Sequence, residues 1–333
     1  MKKTAERTLL KAVGLVLAAA ILIPGPARAE EPKDSPVVTA LKSLRLGAYA
    51  QVYAGAWDED TDTFSLRRAR IALAGELVKN LRFRLNFDVV KSPALLDAEV
   101  EFEPSRIVGL KFGQFRLPFS LESFNSTADL DMVNRTSVVD ALAPGRDNGS
   151  SGRDIGLAFF GNYSVLEYMF GLFNGAGINK TDTNDHKDWS GRVVLRPVKS
   201  LAVGGSLYRG MLGASPSVPL VRRDKEGLEA VLTVKGFSLK SEYIHAKDDV
   251  VSKAGWYAQA GLFALPGKLQ ALLRYDFLDL DRAVPADAKN VITVGVNWFI
   301  KGRTKLQVNY ELHRLEAGGT EKSGLLAQFQ AAF

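Results

Sequence analysis

The sequence predicts an all-β fold, a transmembrane antiparallel β-barrel of sixteen strands, over residues 43–333 of a 333-residue chain. Three observations predict it. Apolar and polar residues alternate with a period of two along most of the chain. The connections between alternating segments switch between short and long. An export signal opens the chain, and no later apolar run is long enough for a membrane helix.

Composition narrows the alternatives first. With 24% charged and 46% hydrophobic residues the chain is too apolar for disorder. Its 13 prolines and 30 glycines do not make a collagen-like or low-complexity sequence. The absence of cysteine removes disulfide scaffolds, thiolate metal sites and cysteine nucleophiles.

At the N-terminus, Lys2, Lys3, Arg7 and Lys11 precede the apolar run Ala12 to Ile23, and Ala27-Arg28-Ala29 follows. This is the pattern of a signal peptide, residues 1–29, cut near Ala29. Its loss removes five positive charges and one negative, which leaves 38 against 36, or +2 over 304 residues. The basic balance of the full chain is therefore mostly the leader's, and nucleic acid is not an expected partner. Residues 30–42 are polar and contain Pro32 and Pro36, so they are expected to form a short periplasmic segment with no fold of its own.

The strands follow in order: 43–57, 64–76, 80–90, 94–103, 106–117, 151–161, 163–175, 187–196, 200–210, 225–235, 236–246, 253–265, 267–278, 288–300, 302–315 and 323–333. The third is the clearest. Leu81, Phe83, Leu85, Phe87 and Val89 take one face, and Arg82, Arg84, Asn86 and Asp88 the other. Leu269 to Phe277 and Leu306 to Leu312 repeat the split. Tight turns are expected at 78–80, 104–105, 161–162, 197–199, 235–236, 266–267 and 301–302. The alternate connections, at 58–63, 91–93, 118–150, 176–186, 211–224, 247–252, 279–287 and 316–322, are longer except for 91–93.

A soluble two-sheet protein would alternate too. Strands of about 9 to 11 residues instead match a tilted membrane crossing, and the turn-and-loop asymmetry is that of outer-membrane barrels. Lipid also demands closure, because an open edge would leave backbone groups unpaired in hydrocarbon. Trp57, Phe160, Tyr163, Trp189 and Trp298 fall near segment ends, where an interfacial girdle would sit. The last segment places Leu325, Ala327, Phe329, Ala331 and Phe333 on one face. It resembles the C-terminal strand signal of outer-membrane barrels, which implies the barrel-assembly machinery as a partner alongside outer-membrane lipid and lipopolysaccharide.

The stretch Lys111 to Gly161 resembles the core signature of the phosphate-selective porin O and P family. The matching parts are Gly113 to Phe119, Glu122, Asn134-Arg135, Ala143 to Arg146 and Arg153 to Gly156, with a second match at Phe170 to Gly175. The resemblance implies a homotrimeric bacterial outer-membrane porin whose long third loop folds into the lumen and narrows it. Here that constriction loop is residues 118–150.

Arg68, Arg70, Arg82 and Arg84 fall on inward positions of neighbouring strands, Lys111 and Arg116 on the fifth, and Arg135, Arg146 and Arg153 in or beside the long loop. Guanidinium groups stay charged and fork onto phosphate or carboxylate oxygens. These nine cations are the expected pore-lining, anion-binding residues, and small anions such as phosphate the expected solutes. The competing expectation is that they pair with Glu76, Asp88, Glu99, Glu101 and Glu103 and only brace the wall, leaving a general porin. No enzyme is expected, because none of His186, His245 and His313 accompanies a nucleophile motif. No cofactor or metal is expected either, since Asp182 to His186 lacks the glycine and terminal Glu of a calcium loop.

Overall fold

The computed structural model describes residues 36–213, 219–318 and 320–333. The expected signal segment, residues 1–29, lies outside the described residues, as does the first part of the expected tail. The described part of that tail is not structureless. Pro36–Ser43 forms helix α1, with proline at the first helical position, where its missing N–H costs nothing. The helix end is tied down: Ser43 Oγ accepts the Glu76 amide at 2.7 Å and donates to the Glu76 carbonyl at 3.1 Å.

Sixteen strands follow: β1 (Arg45–Trp57), β2 (Thr63–Val78), β3 (Leu81–Asp88), β4 (Leu95–Ser105), β5 (Val108–Arg116), β6 (Arg153–Tyr163), β7 (Leu166–Phe173), β8 (Asp188–Val198), β9 (Leu201–Leu212), β10 (Val221–Val234), β11 (Phe237–Asp248), β12 (Val251–Leu265), β13 (Leu269–Asp279), β14 (Lys289–Lys301), β15 (Thr304–Leu315) and β16 (Thr320–Ala332). Each pairs antiparallel with the next, and β16 returns to β1, so the sheet is a closed barrel. Closure is sealed at the C-terminus, where Phe333 and Ala48 exchange backbone bonds of 3.0 and 3.1 Å.

The expected strands are all present, with shifted ends. β10 begins at Val221 and not at residue 225. The loop expected over 247–252 is only Asp249-Val250, because β11 and β12 stay paired out to Asp248 and Val251. Lys253 Nζ bonds Asp248 at 2.7 Å there, so charge pairing extends the ladder beyond the apolar band from which the strand ends were read.

Burial is the reverse of a soluble protein's. Leu228, Leu273 and Trp298 are 66%, 54% and 60% exposed, while Arg274, Asn297 and Gln330 are at 1%, 0% and 0%. The apolar face is the outside of the cylinder and the polar face its inside, which rules out the soluble sandwich. An apolar belt of this extent needs lipid. Tyr163 and Trp189 are on this exposed side, as the girdle requires. Phe160 is not: it packs beside Phe115 and Phe173, with Lys111 Nζ 5.8 Å from its ring centre. Its neighbour Phe159 takes the outward position, 38% exposed.

Candidate functional site

Between β5 and β6 the chain makes its longest excursion, residues 117–152. Two short helices and a turn give it form: α2 (Leu121–Phe124), a 3-10 turn over Thr127–Asp129, and α3 (Ser137–Leu142). Ser120 Oγ accepts the Ser123 amide and Thr136 Oγ1 the Val139 amide, both at 3.1 Å, so each helix start is capped from its own sequence.

Inward side chains bond this segment from many strands. Glu242 on β11 accepts the amides of Leu121 and Glu122 at 2.9 and 2.8 Å. Asn309 on β15 accepts the Val133 amide at 2.6 Å. Arg274 on β13 donates to the Asn134 carbonyl, and Lys225 on β10 to that of Leu142, at 2.9 and 2.8 Å. Asp147 pairs with both Arg223 and Lys225. Beside these bonds lies an apolar seam: Phe119, Val138, Val139 and Leu142 pack on Tyr208, Ile244, Tyr257 and Leu278 of β9, β11, β12 and β13. Its polar and apolar anchors thus favour the β9–β15 wall.

Toward the opposite wall, residues of β2, β5 and β6 and of the long loop bring cations together. A cavity of about 220 Å³ is lined by Arg67, Arg68, Arg70, Lys91, Arg116, Arg135, Arg146 and Arg153, with Asp140 the one acidic residue among the lining. Some of these cations are tied. Arg70 Nε bonds Asp88 at 3.0 Å, Arg153 Nε bonds Asp97 at 2.6 Å, and Arg146 Nη1 reaches Asp140 at 3.3 Å. Others meet only neutral acceptors. Arg67 donates to the Val133 carbonyl at 2.9 Å and to Asn134, Arg68 to Gln51 Oε1 at 2.8 Å, Arg116 to the Phe124 carbonyl, and Arg135 to the Glu122 carbonyl and, at 2.9 Å, to that of Asn125. The Nε atoms of Arg68 and Arg135 are buried with no partner. In the loop, burial and the adjacent Arg135 push the Arg146 guanidinium down to about 9, so it remains charged at neutral pH.

A second cavity of about 600 Å³ shares Arg70 and Arg116 with the first and adds Arg84, Lys301 and Arg303, with no acidic side chain in its lining, though Asp129 pairs with Arg303. A third, of about 440 Å³, shares Arg84 with the second and holds Arg45, Arg82 and Lys111 against Glu76, Glu99 and Glu101. Here the cations are matched. Arg82 sits on Glu101 at 2.7 Å and on Glu103, and Lys111 lies 3.4 and 3.2 Å from Glu99 and Glu101.

The nine expected cations therefore divide. Arg68, Arg70, Arg116, Arg135, Arg146 and Arg153 meet in one cluster, Arg84 stands at a junction, and Arg82 and Lys111 fall in a charge-balanced region. Alternation misses Arg67. A bulge opposite Gln51 and Val52 skips it in the register, which passes from Arg68 to Leu66, so consecutive arginines reach the same cavity. Lys91 and Arg303 are missed because they sit in connections, where no period marks a face.

The sequence profile of the phosphate-selective porin O and P family matches residues 45–218 and 207–332. The chain belongs to this family. The porin has no match among curated proteins. Its fold resembles that of OmpT, an outer membrane protein of Vibrio cholerae, in its trimer form, with TM-score 0.65 and 9% identity over 87% of this chain and 99% of that one. It also resembles the outer membrane channel DcaP of Acinetobacter baumannii, with TM-score 0.61 and 10% identity over 86% and 97%. A mutant porin of Rh. blastica gives TM-score 0.55 and 13% identity over 87% and 100%. The porin is thus an outer-membrane channel protein by family, and its barrel has the fold of outer-membrane proteins of that kind.

Gly113 has φ +123° in β5, and a Cβ there would overlap the Ala98 carbonyl oxygen. This glycine lets β5 lie against β4 just before Gln114, Phe115 and Arg116 turn toward the long loop.

Proposed function

We propose that this porin conducts small anions, phosphate among them, across the bacterial outer membrane, through a lumen narrowed by residues 117–152 folded into it. The observation that carries the reading is the cluster of eight cations around one lining carboxylate. So many guanidinium groups held together repel one another, and an entering anion offsets that repulsion. Arg70 and Arg116 also line a wider cavity whose charged side chains are all cations, Arg303 among them paired with Asp129. The inward bonds to residues 117–152 from β10, β11, β13 and β15 support a loop lying across the channel.

The remaining parts of the proposal follow from the family. The porin is exported by a cleaved leader, is folded by machinery that reads the strand ending in Phe333, assembles as a homotrimer, and sits among lipid and lipopolysaccharide. The trimer form of the Vibrio cholerae relative in fold supports the assembly.

The test is a planar-bilayer reversal potential under a KCl gradient, followed by phosphate titration. Anion preference with phosphate block is expected, and the charge reversals Arg68→Glu and Arg84→Glu should cut the anion-to-cation permeability ratio several-fold. Cation preference, or a reversal potential unmoved by both variants, would leave a general porin with arginines that only brace the wall.

A further inference from the structure

Asp140 is the one carboxylate in the lining of the cavity where eight cations meet. It differs from the other carboxylates that those cations touch. Asp88 and Asp97 are buried in the wall, each on one arginine, at 3.0 Å from Arg70 Nε and 2.6 Å from Arg153 Nε. Asp140 stands on α3 of the long loop with 57% of its side chain exposed. Among the described residues its carboxylate takes one hydrogen bond, from Arg146 Nη1 at 3.3 Å. That bond is not what holds Arg146, whose Nε and Nη2 also donate to Ser123 Oγ and the Ser123 carbonyl, at 2.9 and 3.3 Å. The field of Asp140 reaches further than its bond. Burial lowers the pKa of Arg135 and of Arg146, and Asp140 opposes that lowering in both, after Glu122 in the first.

We propose, resting on the anion-channel reading above, that Asp140 is a tethered counter-ion, which shares the cations of this cavity with the passing anion and sets how readily that anion leaves. Eight cations without a competitor would bind an anion well and release it slowly, whereas conduction needs binding weak enough to be undone. Asp140 supplies the competitor. An entering anion takes up guanidinium donors that the exposed carboxylate would otherwise approach, and a negative charge held in the lining repels it. The repulsion scales with the product of the charges, so it presses harder on a divalent anion than on chloride. The arginines thus keep their preference for anions, and Asp140 keeps the bound anion from being trapped. Asp88 and Asp97 cannot exchange in this way, because each is closed onto its own arginine and neither lines the cavity.

The test is block of the chloride current by inorganic phosphate, read as the half-block concentration at about 0.1 M ionic strength, where charge is only partly screened. In Asp140→Asn that concentration should fall on the order of three- to ten-fold. The current carried by phosphate alone should saturate at a lower level, because release slows. The shift should shrink toward about 1 M salt, where the screening length is about 3 Å. Asp140→Glu, which keeps the charge, should stay near the parent. Glu59→Gln, which removes the same charge from the exposed β1–β2 connection, should leave the block unchanged. The melting temperature of Asp140→Asn in detergent should not move, since Arg146 remains on Ser123. An unchanged or higher half-block concentration in Asp140→Asn overturns the proposal, and together with a lower melting temperature it makes Asp140 a brace of the loop. An equal fall in Glu59→Gln overturns it too, by assigning the effect to net charge. The parent channel separates the two claims: anion preference with a block that Asp140→Asn does not strengthen removes only the counter-ion, whereas cation preference or no block removes the reading beneath it.

Discussion

Glu242 holds Glu122: its Oε1 accepts the Glu122 amide at 2.8 Å, while Oε2 takes the neighbouring Leu121 amide at 2.9 Å. Tyr257 Oη donates to the same Oε1 at 2.7 Å. One side chain of the wall thereby satisfies the start of α2 and joins the long loop to β11 and β12.

Removing that carboxylate should loosen the loop. Glu242→Ala leaves the buried Glu122 amide, the half-buried Leu121 amide and a tyrosine hydroxyl without their acceptor, a loss of about 1–3 kcal/mol for each buried group left unsatisfied. The expected result is a lower unfolding temperature in detergent and flickering single-channel current; steady current at the parent level would show that the loop does not depend on this bond.

Asp147 is the second anchor. It is the shared partner of Arg223 and Lys225, whose side chains are 5% and 1% exposed. Asp147→Asn leaves Lys225 with the Leu142 carbonyl and Arg223 with Asp248 at 3.4 Å. Breaking a buried pair from one side typically costs about 3–5 kcal/mol. Thermal melts should report most of that loss, and Asp147→Glu should restore part of it.

On the anion-channel reading, Lys91 should give the channel a pH dependence. Burial, and next the nearby Arg68, lower its pKa below that of a free lysine, against the opposing pull of Asp88. A lysine is neutral above its pKa, so Lys91 loses its charge before ordinary lysines as pH rises. Anion preference should therefore decline before the pH at which ordinary lysines lose their charge. Lys91→Arg should flatten that decline, and Lys91→Met should give the reduced preference already at neutral pH. An equal decline in all three proteins would assign the effect to other groups.

The outward face can be tested with light. Trp189, Trp256 and Trp298 are 49%, 40% and 60% exposed on the apolar side. Lipids brominated on their acyl chains should quench tryptophan emission strongly in reconstituted vesicles, whereas soluble iodide should quench it weakly. The reverse ranking would contradict a lipid-facing wall.

What the sequence determined by itself is the barrel: strand number, strand order and the face each strand turns outward. These follow from a period of two that lipid enforces on every crossing, because an outward charge or an open edge is costly in hydrocarbon. Arg82 and Arg84 were legible as inward for the same reason. What each cation does was not legible, because it depends on partners far along the chain. Arg82 is matched by Glu101 and Glu103 through the β3–β4 register. Arg68, of the same residue type on the adjacent strand, meets only the neutral Gln51. The bulge that brings Arg67 in beside Arg68, the inward turn of Phe160, and the anchoring of residues 117–152 by Glu242, Asn309 and Asp147 are also decisions of the tertiary structure. Alternation fixes which side of the wall a residue occupies; only closure of the barrel fixes what it meets there.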